Sequence, residues 1–449
     1  MTSEALPIIE LANTPQDRRR IEDVPCLACG CLCDDLVVSI EQGRVVALES
    51  ACELGRDWYQ ARAIPPLPSP ATMAGSPVDL DDAVARATLL LHSSHSPVIF
   101  GLTKTSLETV RAALGLAETL RARIVLDRSP ADLGRVSAFQ EKGRVTATLG
   151  EVKNRADVVV FWGADPLRTH PRHGERYSID PIGRFVPKGR AGRTIIVIDT
   201  KKTATAEKAD LFIPVSADRQ LESITALRLR LRTPLENKTA SPVDPAAASF
   251  DNLLQHLKAA RYGALFFQTG PQSTTRSQAL WEAMSSLVRD LNESTRFVLL
   301  GMGTPGNLPG AEAALTWQTG FLQGASYQKG HPSPLDDLTT LDHLLTSGEP
   351  DSLLVMSDAL PRNLSARALN HLGKIPFLML GPGATSISEP LPAVAFATST
   401  VGFDAPGIVM RSDGLTLRTR PIAASSLPSE KDLIQRIHQS ILNNARSPS

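Results

Sequence analysis

The sequence predicts an α/β fold built on parallel sheets, preceded by a small module that carries cysteines. Three observations support this. Short apolar runs of four or five residues recur along the chain, as in Val158-Val-Val-Phe161 and Ser352-Leu-Leu-Val-Met356. Strands of that composition need cover on both faces, which parallel sheets receive from helices. Segments of helical period lie between the runs, and all five cysteines fall between Cys26 and Cys52.

The elements follow in order. Residues 79–91 place Ala83, Val84, Ala87 and Leu90 at helical spacing. A strand at Pro97-Val-Ile-Phe100, a helix over 106–120 and a strand at Ile124-Val-Leu126 then give the β-α-β signature of a parallel sheet. A second set of strands is expected at 158–161, 194–198, 211–215, 263–267 and 297–300, and a third at 352–356, 376–380 and 394–396. Several end in Gly or Asp, as in Phe161-Trp-Gly-Ala-Asp165 and Val197-Ile-Asp199. Ligands of such sheets bind outside the carboxyl ends of the strands, and a single Gly or Asp there also serves as plain turn chemistry. The Pro-rich stretch 64–70 reads as a linker. The stretch 234–249, rich in Pro, Ala, Ser and Thr, reads as a surface loop.

A length of 449 residues accommodates two or three domains. Lys plus Arg and Asp plus Glu balance at 47 each, which argues against a nucleic-acid partner and its need for a basic face. No apolar run approaches the ~20 residues that span a bilayer. The N-terminus is polar where a signal peptide needs an apolar core. The expectation is a soluble, cytoplasmic protein with no membrane partner.

The segment Cys26-Leu-Ala-Cys29-Gly-Cys31-Leu-Cys33-Asp-Asp contains the spacing C-x2-C-x3-C, and Cys52 lies farther along the chain. Two thiolates three apart can grip a metal from one tight turn, and a distant fourth closes the cage. Soft thiolates select iron–sulfur clusters or zinc. Such clustering in a reducing compartment points to a metal site rather than to disulfides or scattered inert thiols. Cys26, Cys29, Cys33 and Cys52 form the candidate set, favouring a [4Fe–4S] cluster with zinc as the alternative. Cys31 has no place in the scheme.

The cysteine segment, followed by Ala51-Cys-Glu-Leu-Gly-Arg56, resembles the iron–sulfur segment of the formylmethanofuran dehydrogenase B-subunit family, which is placed with the molybdopterin-dependent formate dehydrogenases. The likeness continues in order through the blocks at 148–157, 161–166, 170–173, 176–178, 197–203, 205–206, 209–210, 317–320, 330–332 and 410–414. It implies a molybdopterin-oxidoreductase-like architecture. Residues 1–65 would form the cysteine module, and 66–140 with 336–449 a discontinuous first α/β domain. Residues 141–335 would form a second α/β domain inserted in it. His170, Arg172, His173 and Arg176 follow a strand end, where clustered donors could hold a phosphate-bearing ligand. A structural network at a domain boundary would need the same residue types, and that reading is preferred.

Two departures from the family pattern bear on function. The family's metal-binding cysteine or selenocysteine and the histidine after it would fall in Leu126-Asp-Arg-Ser-Pro-Ala-Asp-Leu-Gly134, which has neither. Ser129 could offer an oxygen ligand, but Ser before Pro is an ordinary turn element. The family's Arg-Gly-His segment corresponds to Gly301-Met-Gly-Thr-Pro-Gly-Asn307, which lacks cation and imidazole. A site that reduces carbon dioxide needs groups to bind the metal and to stabilise and protonate developing charge.

The resemblance therefore points to the bacterial formyltransferase/hydrolase complex, in which a related B subunit stands with an amidohydrolase-like A subunit, a C subunit and a formyltransferase D subunit. That complex moves a formyl group from tetrahydromethanopterin to a furan-type carrier and hydrolyses it to formate. The expectation is a redox-inactive scaffold with no catalytic residue and no molybdopterin or tungstopterin. The alternative is an active tungsten or molybdenum formylmethanofuran dehydrogenase component.

Overall fold

The computed structural model describes residues 18–41, 44–62, 69–232, 245–336, 339–387 and 389–446. Part of the 64–70 linker and residues 233–244 lie outside these. The N-terminal unit is a small antiparallel sheet of β1 (Arg19–Val24), β2 (Leu36–Glu41) and β3 (Arg44–Glu49), followed by the helix Glu53–Gln60. Val24, Leu36, Val38, Ile40 and Tyr59 pack with Cys26, Cys29, Cys31 and Cys33 into one core. The cysteines thus sit inside a folded module.

The chain then builds β4 (Ala71–Met73), β5 (Ser76–Pro77), β6 (Pro97–Gly101) and β7 (Arg123–Leu126). After the helix Pro130–Lys142 it makes a separate sheet of β8 (Val158–Trp162), β9 (Thr194–Asp199), β10 (Leu211–Pro214), β11 (Gly263–Phe267) and β12 (Phe297–Gly301). This sheet has the order β10-β9-β8-β11-β12 and is parallel throughout.

The chain returns with β13 (Gly324–Ser326), β14 (Ser333–Pro334), β15 (Ser352–Met356), β16 (Phe377–Gly381) and β17 (Val394–Ala397). The larger sheet runs β14-β13-β7-β6-β15-β16-β17-β4-β5. Its centre is parallel, and β13, β14, β4 and β5 make antiparallel margins. The hairpin of β18 (Gly407–Met410) and β19 (Thr416–Thr419) and the helix Glu430–Arg446 complete the described chain.

Local chemistry explains these elements. Asp79 caps the helix Leu80–His92, and Ser106 caps Leu107–Leu120 by accepting from the Thr109 amide, each satisfying an otherwise orphan first-turn N–H. Ala83, Ala87, Leu91, Val110, Ala113 and Ala117 turn inward and meet Leu433, Ile434 and Ile437 of the last helix. The parallel-sheet α/β class read from the apolar runs is the one observed.

Two sequence expectations are corrected. The sequence reading closes the inserted stretch at residue 335, yet β13 and β14 already belong to the larger sheet. Two- and three-residue edge strands are too short to show as apolar runs. The stretch 234–249 reads as a loop, but a helix begins at Pro245. Pro at the first helical position followed by Ala246, Ala247 and Ala248 is a strong helix start. Among the described residues, no helix is long and apolar enough to cross a membrane.

Candidate functional site

Three pieces of chain close around the cysteine loop at residues 26–35: the segment after β8, the loop after β12 and the β18–β19 hairpin. The loop is tied to itself by the Cys26 amide donating to the Cys33 carbonyl at 2.9 Å. Leu27 and Leu32 pack against Val401 and Val409 beside the hairpin. The tightest approach is glycine against glycine. A Cβ on Gly30, at φ +84°, would lie 2.6 Å from the Thr304 carbonyl oxygen, and one on Gly303 would lie 3.1 Å from the Gly30 carbonyl oxygen. Only glycine meets both the left-handed backbone and that spacing.

Each cation singled out in the sequence has a partner within the chain. Arg172 forks onto Asp35 with two 2.7 Å bonds and holds Glu175 at 2.6 Å. Arg176 donates to Asp34 at 2.6 Å and also pairs with Asp35. Burial would raise the Asp35 carboxyl, but these two guanidiniums hold it below the usual carboxylate range. His170 Nε2 lies 3.0 Å from the Gly303 carbonyl oxygen, and His173 Nδ1 lies 2.9 Å from Ser178 Oγ. Burial lowers both imidazoles, His173 to about 3. The turn that presents them closes with the Ile179 amide on the Gly174 carbonyl, five residues back, a widened helical turn of the kind found at functional sites. In this structure Arg172 and Arg176 fasten the cysteine module to the second sheet, His170 ties the same turn to the loop after β12, and His173 braces the turn from within.

Sequence reasoning missed the other half of this network. Asp34 and Asp35 follow Cys33 directly, and that adjacency was the available signal. Arg411 forms a buried fork with Asp413, which also accepts from the Leu149 amide at 2.6 Å. Asn307 accepts from the Met410 amide at 2.7 Å and donates to the Thr105 carbonyl at 2.8 Å, so one buried amide links hairpin, loop and helix start.

The cysteines form one neighbourhood. Burial pushes Cys26 and Cys33 up to about 12, and Cys26 also feels Cys29, Cys33 and Cys52. A hydrogen bond between Cys29 and Cys31 holds Cys29 below the usual thiol value and Cys31 above it. Cys31, which had no place in the four-ligand scheme, is therefore a direct neighbour of Cys29. A Cβ at Gly55 would lie 3.3 Å from Cys26 Sγ and 3.9 Å from Cys52 Sγ, so a side chain there would crowd the first sulfur and touch the second. Among the described residues, no three His, Cys, Asp or Glu side chains are gathered closely enough to hold a single ion.

A cleft of about 570 Å³ opens beyond the carboxyl ends of β11 and β12, facing the segment after β7. Phe267, Trp281 and Met302 give it apolar walls; Gln268, Thr269 and Arg135 give it polar points. Ser129 lies on its rim, but its hydroxyl is committed. It accepts from the Asp132 amide at 3.2 Å and donates to the Asp132 carboxylate at 2.6 Å, a reciprocal cap on the helix Pro130–Lys142.

No family model matches the chain. The B subunit of tungsten-containing formylmethanofuran dehydrogenase 2 from Methanocaldococcus jannaschii is 31% identical over 408 residues, covering 90% of this chain and 93% of that protein. Its counterpart in Methanococcus maripaludis is 28% identical over 427 residues, 93% of this chain and 97% of that one. The B subunit of the formyltransferase/hydrolase complex Fhc from Methylorubrum extorquens is 29% identical over 290 residues, 63% of this chain and 73% of that one. Among solved structures, a chain of the formyltransferase/hydrolase complex of Methylorubrum extorquens with methylofuran superimposes with a TM-score of 0.68 at 23% identity. That match covers 84% of this chain and all of the other, and it shows a shared fold. The extended identity and the order of the matched blocks establish that this chain belongs to the formylmethanofuran dehydrogenase B-subunit family.

Proposed function

We propose that this chain is the B subunit of a formyltransferase/hydrolase complex and serves there as a redox-inactive scaffold. One observation carries the reading. Where β7 delivers its following loop to the cleft, residues 127–134 hold neither thiol nor imidazole, and the Ser129 hydroxyl is committed with Asp132 to a helix cap. The loop after β12 likewise offers no cation, and its Gly303 lies against Gly30 of the cysteine loop. These residues do not suit the metal of a pterin cofactor, and no step is assigned to one. Formyl transfer and hydrolysis move no electrons, so neither reaction needs that metal. The Methylorubrum Fhc relative supports this assignment. The partners are then the amidohydrolase-like A, the C and the formyltransferase D subunits. The architecture, a cysteine module on two α/β units with one set into the other, is on this reading of the molybdopterin-oxidoreductase type.

Cys26, Cys29, Cys33 and Cys52 would hold a [4Fe–4S] cluster; such a group supplies one-electron transfer where it has a redox partner, and with no pterin metal beside it the cluster would here serve the fold. Their mutual proximity and the bare Gly55 support this donor set. A cluster binds each thiolate to a different iron, so it needs wider sulfur spacing than one zinc ion does.

A second reading, an active tungsten or molybdenum enzyme component, draws on the 31% identity to a tungsten enzyme and on the surviving cysteines. The native complex, purified without air and analysed for metals, separates the two. The proposal expects no stoichiometric tungsten or molybdenum, and finding either overturns it. Ser129→Ala should cost about 1 kcal/mol of stability through the lost cap and leave formyl transfer and hydrolysis unchanged. Abolished turnover would favour the second reading.

A further inference from the structure

The segment 180–193, between the cation cluster and β9, presents two large apolar side chains to solvent. Ile182 is 72% exposed and Phe185 52% exposed. Such a pair could be incidental on a floppy loop, but this loop is held at every turn. Gly183 and Val186 exchange two 3.1 Å backbone hydrogen bonds. Asn154 accepts the Arg184 amide on its side chain at 3.1 Å and the Phe185 amide on its carbonyl at 2.8 Å. The buried Arg193 guanidinium donates to the Lys153 carbonyl at 2.6 Å and to the Pro181 carbonyl. A Cβ at Gly183 would lie 2.2 Å from the Lys153 carbonyl oxygen, so the backbone is seated directly on the helix Leu149–Arg155. The Phe185 ring lies 5.3 Å from the Arg155 guanidinium and 5.8 Å from that of Arg184.

Rigid apolar anchors suit binding, because the entropy of ordering them is already lost in the free chain. Charge narrows the partner. The segment carries Arg184, Lys188, Arg190 and Arg193 against Asp180, four cations to one acid and a local net of +3, in a chain whose formal net charge is zero. Arg190 is neutralised by Asp210 at 2.8 Å. Arg184 and Lys188 are exposed beside the apolar tip.

We infer that this loop is a docking anchor that inserts Ile182 and Phe185 into an apolar socket, edged by carboxylates, on another protein of the complex. The inference rests on the proposed function, since it takes that socket to belong to one of the partner subunits named there. A folded protein socket is favoured over an anionic membrane because the tip is two fixed side chains in a braced turn, shaped to fit rather than to spread.

The test uses the full chain co-expressed with the amidohydrolase-like A, the C and the formyltransferase D subunits. The double variant Ile182→Asp/Phe185→Asp should bind them about 100-fold more weakly, the loss expected of central apolar hot spots. Lys188→Glu should slow association about tenfold at low salt and little at high salt. Leu89→Asp, equally exposed elsewhere, should assemble as the parent does, and unchanged thermal unfolding of the double variant excludes misfolding. If the parent chain captures the subunits and the double variant does so equally well, the anchor is overturned and the functional reading stands. If the parent chain fails to capture them, the functional reading falls and takes the anchor with it. Binding of the parent chain to vesicles of phosphatidylserine and phosphatidylcholine, or a self-dimer lost in the double variant, would also overturn it.

Discussion

His173 and Glu430 show how burial sets opposite pH responses in one molecule. His173 is 2% exposed and held neutral down to about pH 3, whereas in the unfolded chain it protonates near 6.5. The unfolded state therefore binds the extra proton between those values, and stability falls as pH drops from 6.5 towards 3. Glu430 behaves inversely. The residue is half-buried, but its carboxyl takes a hydrogen bond from the buried Thr105, and burial pushes it up to about 7 from the usual 4.5. Here the native state keeps the proton longer, so stability falls as pH rises from 4.5 to 7 and then levels off. Denaturant unfolding across pH 4–8 checks both signs. Against the parent, His173→Gln should remove up to ~1.4 kcal/mol per pH unit of acid-side slope. Glu430→Gln should flatten the decline above pH 4.5. A parent and variant with parallel profiles would contradict the corresponding assignment.

At the scale of elements, the cysteine module depends on its fastenings. The Arg172–Asp35 fork joins side chains that are 15% and 38% exposed, so Arg172→Ala should destabilise by about 1–3 kcal/mol. The loss should be local. Hydrogen exchange should quicken in β1–β3 and the helix Glu53–Gln60 while β8–β12 keep their protection; uniform quickening would show that the module is not a separate fastened unit. Gly30→Ala should act in the same place by a different route, through a 2.6 Å clash and a strained φ. These fastenings were only partly legible in the sequence. The central parallel strands of both sheets stood out because continuous apolar runs covered on two faces have few alternatives. The module's strands, such as Arg19–Val24 with its exposed, charged pattern, gave no such signal. Arg172 and Arg176 were visible as a cluster, but pairing them with Asp34 and Asp35 required bringing together positions more than a hundred residues apart.

At the scale of the whole molecule, the larger sheet is assembled from both ends of the chain: Pro97–Gly101 lies beside Ser352–Met356 in parallel register, with the second sheet formed between them. Parallel pairing over such separation carries a loop-closure cost that local contacts do not offset. Denaturation should therefore lose the larger sheet cooperatively even when the perturbation lies in only one of its halves. A substitution such as Leu354→Ala, at a fully buried central position, should cost about 2–5 kcal/mol and weaken protection in β6 and β7 as much as in β15 and β16. Protection lost from β15 and β16 alone would show that the two halves fold independently. The discontinuous architecture implied by the family likeness put these two distant segments in one sheet, and Ser352–Met356 pairs with Pro97–Gly101. The return at β13 escaped notice because a Gly-Ala-Ser strand carries almost no side-chain signal.

The way the cysteine loop is enclosed has a consequence in time. Its walls come from Arg172, Gly303 and Arg411, and the last of these lies 385 positions after Cys26 (411 minus 26). A ribosome adding roughly 5–20 residues per second needs about 20–80 s to cover that distance. Throughout that interval the thiols have emerged and their cover has not. The nascent chain thus passes through a window in which cysteines later sealed in a core face the solvent, open to iron delivery and equally open to oxidation. Whatever is to occupy the loop has its readiest access then, before the hairpin closes over it.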